Sequence, residues 1–248
     1  MKYIWSLALQ FLLMLLLIPK DRNDGERELF KNQNWKPWHV LILISLMNLI
    51  SIFDNYLLRF EFVKDLIRII PFASHLLYFF ALLILVKFQD QLSIQAIGFK
   101  TNKKQVLIAI VITLGWYTIL CTPLYFKKGS GILILEVVKK INSLGFTWFY
   151  VAILFHYIIL GPIIEEIIFR GVLYSPYRKK YGPTVAVLLT SLFFCAFHPI
   201  RAFVVTLIIG IICGILYEKT ESIIPPIIAH CTSNLLAHLT SFILLRMT

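Results

Sequence analysis

The sequence predicts an all-α protein, a polytopic bundle of about eight membrane-spanning helices, and three observations lead to this fold class. Of the 248 residues, 59% are hydrophobic and 15% are charged, whereas soluble domains are about 45–50% apolar and about 25% charged. The mean hydropathy is correspondingly high, at +0.81. Long apolar runs recur along the whole chain and are continuous rather than alternating, which is typical of spanning helices.

The apolar runs have lengths that suit a hydrocarbon core about 30 Å thick. In order, they cover residues 3–18, 39–57, 66–86, 106–126, 146–170, 183–199, 202–217 and 223–245. The first follows a basic residue, Lys2, as in a signal peptide, but it lacks an A-x-A-like cleavage site, so we expect a retained helix. Residues 132–145 separate apolar from charged side chains at helical spacing, which predicts a helix in the membrane interface.

The formal net charge of +11 would suggest nucleic acid as a partner of a soluble protein. Here the lysines and arginines cluster in short loops between apolar runs, where they meet lipid headgroups and set topology. No RNA- or DNA-binding motif accompanies them, so we expect the lipid bilayer as the partner of this charge and no nucleic acid. The four cysteines fall in hydrophobic segments without C-x-x-C spacing, which predicts small buried apolar residues.

The fifth run contains GPIIEEIIFRG, which places Glu165, Glu166 and Arg170 in an otherwise apolar segment. Each charge near a bilayer centre costs about 2.5–3.5 kcal/mol on insertion scales, so packing alone does not account for them. Glu166 and Arg170 are four residues apart and can form an intrahelical ion pair with a purely structural role. Glu165 points about 100° away from Glu166, so this pair leaves it unexplained. A carboxylate in a low-dielectric cavity suits general acid–base chemistry.

Two further runs carry polar groups of catalytic type. The sixth contains FFCAFHP, in which Phe194 precedes His198 by one helical turn, and the eighth contains AHCTSN, in which His230 and Asn234 share a face. Either histidine taken alone could simply hydrogen-bond a neighbouring helix. Together, the patterns E-E-x-x-x-R, F-x-x-x-H and H-x-x-x-N supply a base for water and donors for an oxyanion. This set predicts a peptidase without a covalent nucleophile.

In this order and on separate hydrophobic segments, the three motifs of residues 161–234 resemble the CAAX protease and bacteriocin-processing (CPBP, Abi) family of intramembrane endopeptidases. The resemblance implies that Glu165 is the general base and that His198 orients the water. It implies that His230 and Asn234 stabilise the oxyanion. It implies that Glu166 and Arg170, at the remaining motif positions, have supporting roles. Glu166 is the alternative candidate for the general base. The site is then expected between spans five, six and eight.

The resemblance also divides the chain, although we expect one integrated membrane domain. Residues 1–145 would supply N-terminal spans and loops, and residues 146–248 the CPBP-type catalytic core. We expect no cofactor. The alternative is zinc held by His198, His230 and Glu165, because two histidines and a carboxylate are a common zinc set, but the sequence has no H-E-x-x-H. A thiol mechanism through Cys195 and His198 is disfavoured, since a thiol in apolar surroundings is inert.

The predicted function is hydrolysis of a peptide bond at the membrane surface by glutamate-activated water, in a multi-pass protein of the plasma membrane. The substrate would be a peptide or a membrane-associated protein. The resemblance offers peptide maturation, prenyl-protein-type processing and bacteriocin self-immunity as biological roles. The alternative is a non-proteolytic membrane protein, either a proton-coupled transporter or a scaffold or immunity protein. A transporter usually shows paired repeats with broken helices, and the sequence shows none.

Overall fold

The computed structural model of the protein describes residues 97–121 and 154–247, together with six isolated helical positions. Those positions are Ile42, Ser45, Leu46, Leu49, Phe80 and Val151. Apart from them, several predicted segments lie outside the described residues. These are the spans at 3–18, 39–57 and 66–86, the interfacial helix at 132–145 and the start of the fifth span. The end of the fourth span, beyond Cys121, lies outside them as well.

Every regular element of the described residues is a helix, which confirms the all-α prediction for this part of the chain. The α-helices are α1 (Lys103–Trp116), α2 (Gly161–Glu166), α3 (Tyr174–Tyr181), α4 (Pro183–Ala196), α5 (Phe203–Thr220) and α6 (Ile224–Met247). Three π-helical segments, Tyr117–Cys121, His156–Leu160 and Ile167–Leu173, continue or join them, and Ile200–Ala202 is a 3-10 turn. By length and composition, Lys103–Cys121 and Phe203–Thr220 could each cross a membrane, and Pro183–Ala196 is a shorter apolar helix.

Local sequence signals set the helix ends. Asn102 and Gln105 form a capping box at the start of α1, each accepting a hydrogen bond from the other's backbone N–H. Pro183 opens α4 in the first turn, where a missing N–H costs nothing. At the other end of that helix, Pro199 disfavours helical backbone at His198. The helix through residue 170 runs on to Tyr181, past the predicted end of span five, because Tyr174 and Tyr177 are buried there.

The core is formed where α4 and α5 cross at two glycines of α5. A Cβ atom at Gly210 would lie 3.1 Å from the Cβ of Ser191, and one at Gly214 would lie 3.1 Å from a methyl group of Val187. The two helices therefore approach more closely than side chains at these positions would allow. This contact brings the backbone of α5 against the helices that carry the polar residues.

A short segment ahead of α1 is hydrogen-bonded to the turn between α5 and α6. The N–H of Ile223 donates to the carbonyl of Gly98 over 2.7 Å, and the Tyr217 hydroxyl donates to the carbonyl of Ile97 over 3.3 Å. Gly98 has φ +76°, and a Cβ there would collide with the carbonyl oxygen of Glu221. The segment Ile97–Gly98 is thus fixed by backbone contacts rather than by side-chain packing alone.

A buried polar cluster links α3 to the end of α5. The Glu218 carboxylate accepts from the Tyr174 hydroxyl over 2.8 Å and from Arg178 through Nε over 2.8 Å and Nη2 over 3.1 Å. Burial, and after it the Glu218 carboxylate, raises the pKa of the Tyr174 phenol well above its usual range. The phenol therefore stays protonated and remains a donor to Glu218.

Candidate active site

The helix that carries both glutamates changes its hydrogen-bond register just before them. Gly161 donates its N–H to the carbonyl of His156, five residues back, so the carbonyl of Tyr157 does not receive it. Pro162, the next residue, has no N–H to give. The Tyr157 carbonyl instead accepts from Nδ2 of Asn234, on α6, over 2.9 Å. The break in the backbone ladder is therefore what attaches Asn234 to this helix.

Glu166 and Arg170 form the intrahelical ion pair that their spacing predicts. Nη1 of Arg170 lies 2.9 Å from Oε1 of Glu166, and the two side chains are 0% and 1% exposed. Nη2 of Arg170 donates to the carbonyl of Gly210, on α5, over 2.7 Å. Arg170 thus connects the glutamate helix to α5, and both charges of the pair lie in the protein interior.

His230 lies between the two glutamates. Its Nδ1 is 2.9 Å from Oε1 of Glu166, and its Nε2 is 3.7 Å from Oε2 of Glu165. A carboxylate paired with Arg170 can only accept a hydrogen bond, so Nδ1 carries a proton and Nε2 is the nitrogen that faces Glu165. The side chain of His230 is 4% exposed, whereas that of Glu165 is 22% exposed. Glu165 is therefore the carboxylate that a substrate or water can reach.

His198 follows the last turn of α4 and bends back on it. Its Nδ1 lies 2.8 Å from the carbonyl oxygen of Phe194. Because a carbonyl only accepts, Nδ1 carries a proton and Nε2 is left without one in the neutral ring. The imidazole is half-buried and lies against the Phe194 ring, with 4.4 Å between the ring centroids.

The structure joins the predicted site residues through two kinds of contact. Glu165, Glu166, Arg170 and His230 form one chain of polar contacts. His198 is connected to them through Phe194, whose ring also lies 5.3 Å from that of His230. Asn234, one turn beyond His230, binds the Tyr157 carbonyl, and this bond uses one of its two amide hydrogens.

Two parts of the site are main-chain atoms that the sequence analysis did not predict. They are the carbonyl of Tyr157, which binds Asn234, and the carbonyl of Gly210, which binds Arg170. Every residue has a carbonyl, so composition gives no signal for such a role. Pro162 gave a partial signal for the first, because it removes a backbone donor. The Gly-x-x-x-Gly spacing of Gly210 and Gly214 gave a partial signal for the Gly210 carbonyl, because two glycines one turn apart allow a neighbouring helix to approach closely.

The arrangement bears on the two alternative chemistries. Within residues 97–121 and 154–247, no group of three or more His, Cys, Asp or Glu is placed to hold a metal ion. Glu165, His198 and His230, the alternative zinc ligands, are not found as such a group among these residues. The Cys195 sulfur lies 3.4 Å from the Thr206 hydroxyl and 3.7 Å from the Phe203 carbonyl, so its hydrogen-bonding partners lie in α5.

Apolar helices that enclose carboxylates, imidazoles and a buried arginine define the class, an all-helical protein with two candidate membrane helices and a buried polar cluster. Residues 146–236 match the family described as type II CAAX prenyl endopeptidase Rce1-like. The match confirms the resemblance seen in the three motifs, and it covers less than half of the chain. Neither a curated protein nor a solved structure matches the chain.

Proposed function

We propose that the protein is a membrane endopeptidase that hydrolyses a peptide bond at the membrane surface with water activated by Glu165. The observation that carries this proposal is the difference between the two adjacent glutamates. Glu166 is 1% exposed, and its Oε1 is bound by both Arg170 and His230 at 2.9 Å. Glu165 is 22% exposed, and among the described residues its ion-pair contact is the longer one of 3.7 Å with His230. A general base must reach water, and Glu165 is the glutamate that can.

In the proposed reaction, Glu165 takes a proton from water while the water oxygen attacks the peptide carbonyl carbon. The carbonyl π electrons move to oxygen and form a tetrahedral oxyanion. His230 and Asn234 donate hydrogen bonds to that oxyanion, His230 through a protonated Nε2. When the intermediate collapses, the C–N bond breaks and Glu165 returns its proton to the leaving amine. His198 accepts a hydrogen bond from the attacking water at Nε2 and so orients it.

Glu166 and Arg170 then have a supporting role. By accepting from Nδ1 of His230, Glu166 directs Nε2 towards Glu165. Arg170 compensates the charge of Glu166 and anchors it to α5 through the Gly210 carbonyl. Both groups are buried and hydrogen-bonded, which suits a fixed electrostatic frame that needs no reorganisation during reaction.

The wider proposal is an eight-span protein of the plasma membrane, with the site between spans five, six and eight. The substrate is a peptide or a membrane-associated protein, and no metal takes part. The position of the cleavage site would distinguish three biological roles, which are peptide maturation, prenyl-protein-type processing and bacteriocin self-immunity. A prenylated C terminus as substrate would favour the second of them.

The test is cleavage of a mixed peptide library by purified protein in detergent. Glu165→Gln should lower the rate by at least about 100-fold, as expected for loss of a general base. Glu221→Gln, at the turn between α5 and α6, is the matched control and should leave the rate unchanged. Full activity of Glu165→Gln would overturn the proposed base.

Each sample is also assayed with a zinc chelator. Activity that persists supports glutamate-activated water without metal, and activity that is lost and restored by zinc would overturn it. If the wild type cleaves nothing but moves protons across vesicles, the transporter alternative replaces the peptidase. The cut sites of the active protein define its substrate.

A further inference from the structure

We propose that Phe194 is a positioning residue that fixes the orientation of both imidazoles in the site. The inference rests on the proposed function, because it assigns Phe194 a part in the same reaction. Phe194 does not touch the reacting atoms. It acts through His198, just after α4, and His230, on α6, which share this aromatic ring as a neighbour.

The two histidine rings lie against the Phe194 ring at different angles. The His198 ring is tilted by 43° to it, with 4.4 Å between the centroids. The His230 ring stands at 81° to it, with 5.3 Å between the centroids, which is an edge-to-face contact. The benzyl ring therefore sets both the separation of the two imidazoles and their relative tilt.

The Phe194 ring is itself held in place from other directions. The Arg170 guanidinium carbon lies 5.5 Å from its centroid, and the Phe169 ring stands at 85° to it at 5.3 Å. The residue is 1% exposed. A ring held by an arginine and a second aromatic ring is a rigid reference for the histidines that lie against it.

The main chain of Phe194 adds a second restraint on His198. At the end of α4, the His198 N–H donates to the carbonyl of Cys195 over 2.9 Å. The backbone bond to the Phe194 carbonyl, from the N–H of Phe197, is longer, at 3.3 Å. That carbonyl accepts Nδ1 of His198 over 2.8 Å. One residue therefore fixes the tautomer of His198 with its carbonyl and the plane of the imidazole with its ring.

Replacement of Phe194 by leucine tests the ring alone, because the carbonyl and much of the apolar volume remain. Misplacement of a catalytic group by about 1 Å can cost about 100-fold in rate. We expect Phe194→Leu to lower kcat by about 10- to 100-fold and to change KM by less than about threefold. Phe193→Leu is the matched control: Phe193 is adjacent and fully buried, but its ring faces Tyr177.

A second measurement distinguishes positioning from folding and does not need a substrate. In protein with 15N-labelled histidine, the ring nitrogen shifts report the tautomer and titration of His198 and His230. Phe194→Leu should change the spectra of both rings, and Phe193→Leu should change neither. Unchanged histidine spectra, or a loss of kcat no greater than that of Phe193→Leu, would overturn the role of Phe194. If the wild type shows no peptidase activity, the proposed function fails while the spectra still decide this inference.

Discussion

Adjacent residues of a helix can meet very different environments, and Glu165 and Glu166 are an example. They point about 100° apart around the helix axis. Glu166 is directed at Arg170 and His230 in the interior, whereas Glu165 keeps some exposure and contacts His230 from the other side. Substitution of one should therefore affect a different property from substitution of the other.

We expect Glu166→Gln to destabilise the protein as well as inactivate it. The change leaves the buried guanidinium of Arg170 without a counter-charge, and breaking a buried pair in this way costs about 3–5 kcal/mol. Thermal unfolding in detergent measures the effect. Glu165→Gln is the control and should leave the unfolding temperature near that of the wild type. Equal unfolding temperatures for the two variants would contradict the supporting, structural role of Glu166.

Among contacts between single residues, the sequence predicts those that depend on spacing within one helix. Glu166 and Arg170 pair because four residues bring them to one face of a helix, and the structure confirms this contact. The bond from His230 to Glu166 joins residues on different helices, so it depends on how α6 packs against α2. Hydrophobic periodicity specifies a helix and a buried face, but it does not specify which partner that face meets.

At the scale of single elements, the π-helical segments on both sides of α2 each contribute one group to the site. The His156–Leu160 segment leads to the freed carbonyl of Tyr157, and Arg170 lies within the Ile167–Leu173 segment. Gly161 and Pro162 favour a break in the hydrogen-bond ladder here. The sequence does not reveal which carbonyl is freed, because that depends on whether the register shifts by one residue.

We expect Pro162→Ala to lower kcat by about tenfold, less than the loss of a whole oxyanion donor. The new N–H can compete with Asn234 for the Tyr157 carbonyl and so release the Asn234 side chain. Pro183→Ala, at the first position of α4, is the control, because an N–H there has no partner to displace. The variants are compared by kcat for the same cleaved peptide.

A double-mutant cycle shows whether Pro162 acts through Asn234. In an Asn234→Ala background, Pro162→Ala should have little further effect, since the side chain that it displaces is absent. A full tenfold loss in both backgrounds would mean that the proline acts on the backbone by another route.

The ends of elements were predicted less well than their existence. The helices of α4, α5 and α6 lie within a few residues of the predicted runs, whereas the helix through residue 170 continues to Tyr181. The segment Tyr174–Tyr181 is polar in composition, so a hydropathy criterion ends the span before it. It stays helical because Tyr174 and Tyr177 are buried and Arg178 binds Glu218.

On the scale of the whole molecule, the segment Ile97–Gly98 connects the chain before α1 with the site helices. Gly98 binds Ile223, while a Cβ atom at Gly171, next to Arg170, would lie 3.2 Å from Ile97. Farther along the chain, the Tyr117 hydroxyl donates to Thr240 of α6 over 3.1 Å. The order of elements follows from the sequence, but these contacts between residues far apart in the chain do not.

We expect Gly98→Ala to lower the unfolding temperature in detergent markedly, because a Cβ there combines a positive φ with a collision against the Glu221 backbone. Two controls separate the causes. Gly182→Ala has a similar φ of +80° and open space, so it reports strain alone. Gly115→Ala lies in helix α1 with nothing within 4 Å, and there alanine should be neutral or slightly stabilising. A Gly98→Ala protein as stable as Gly182→Ala would refute the collision.

The docking of Ile97 and Gly98 also separates two ways of dividing the chain. Residues 146–236 are the part that is shared with a family and so the unit of homology. The backbone bond from Ile223 to Gly98 and the packing of Ile97 at Gly171 make earlier residues part of the unit that folds. A truncated protein that keeps only the homologous segment would expose the surfaces that these residues cover. We therefore expect the smallest stably folded version of this protein to be longer than the segment that matches the family.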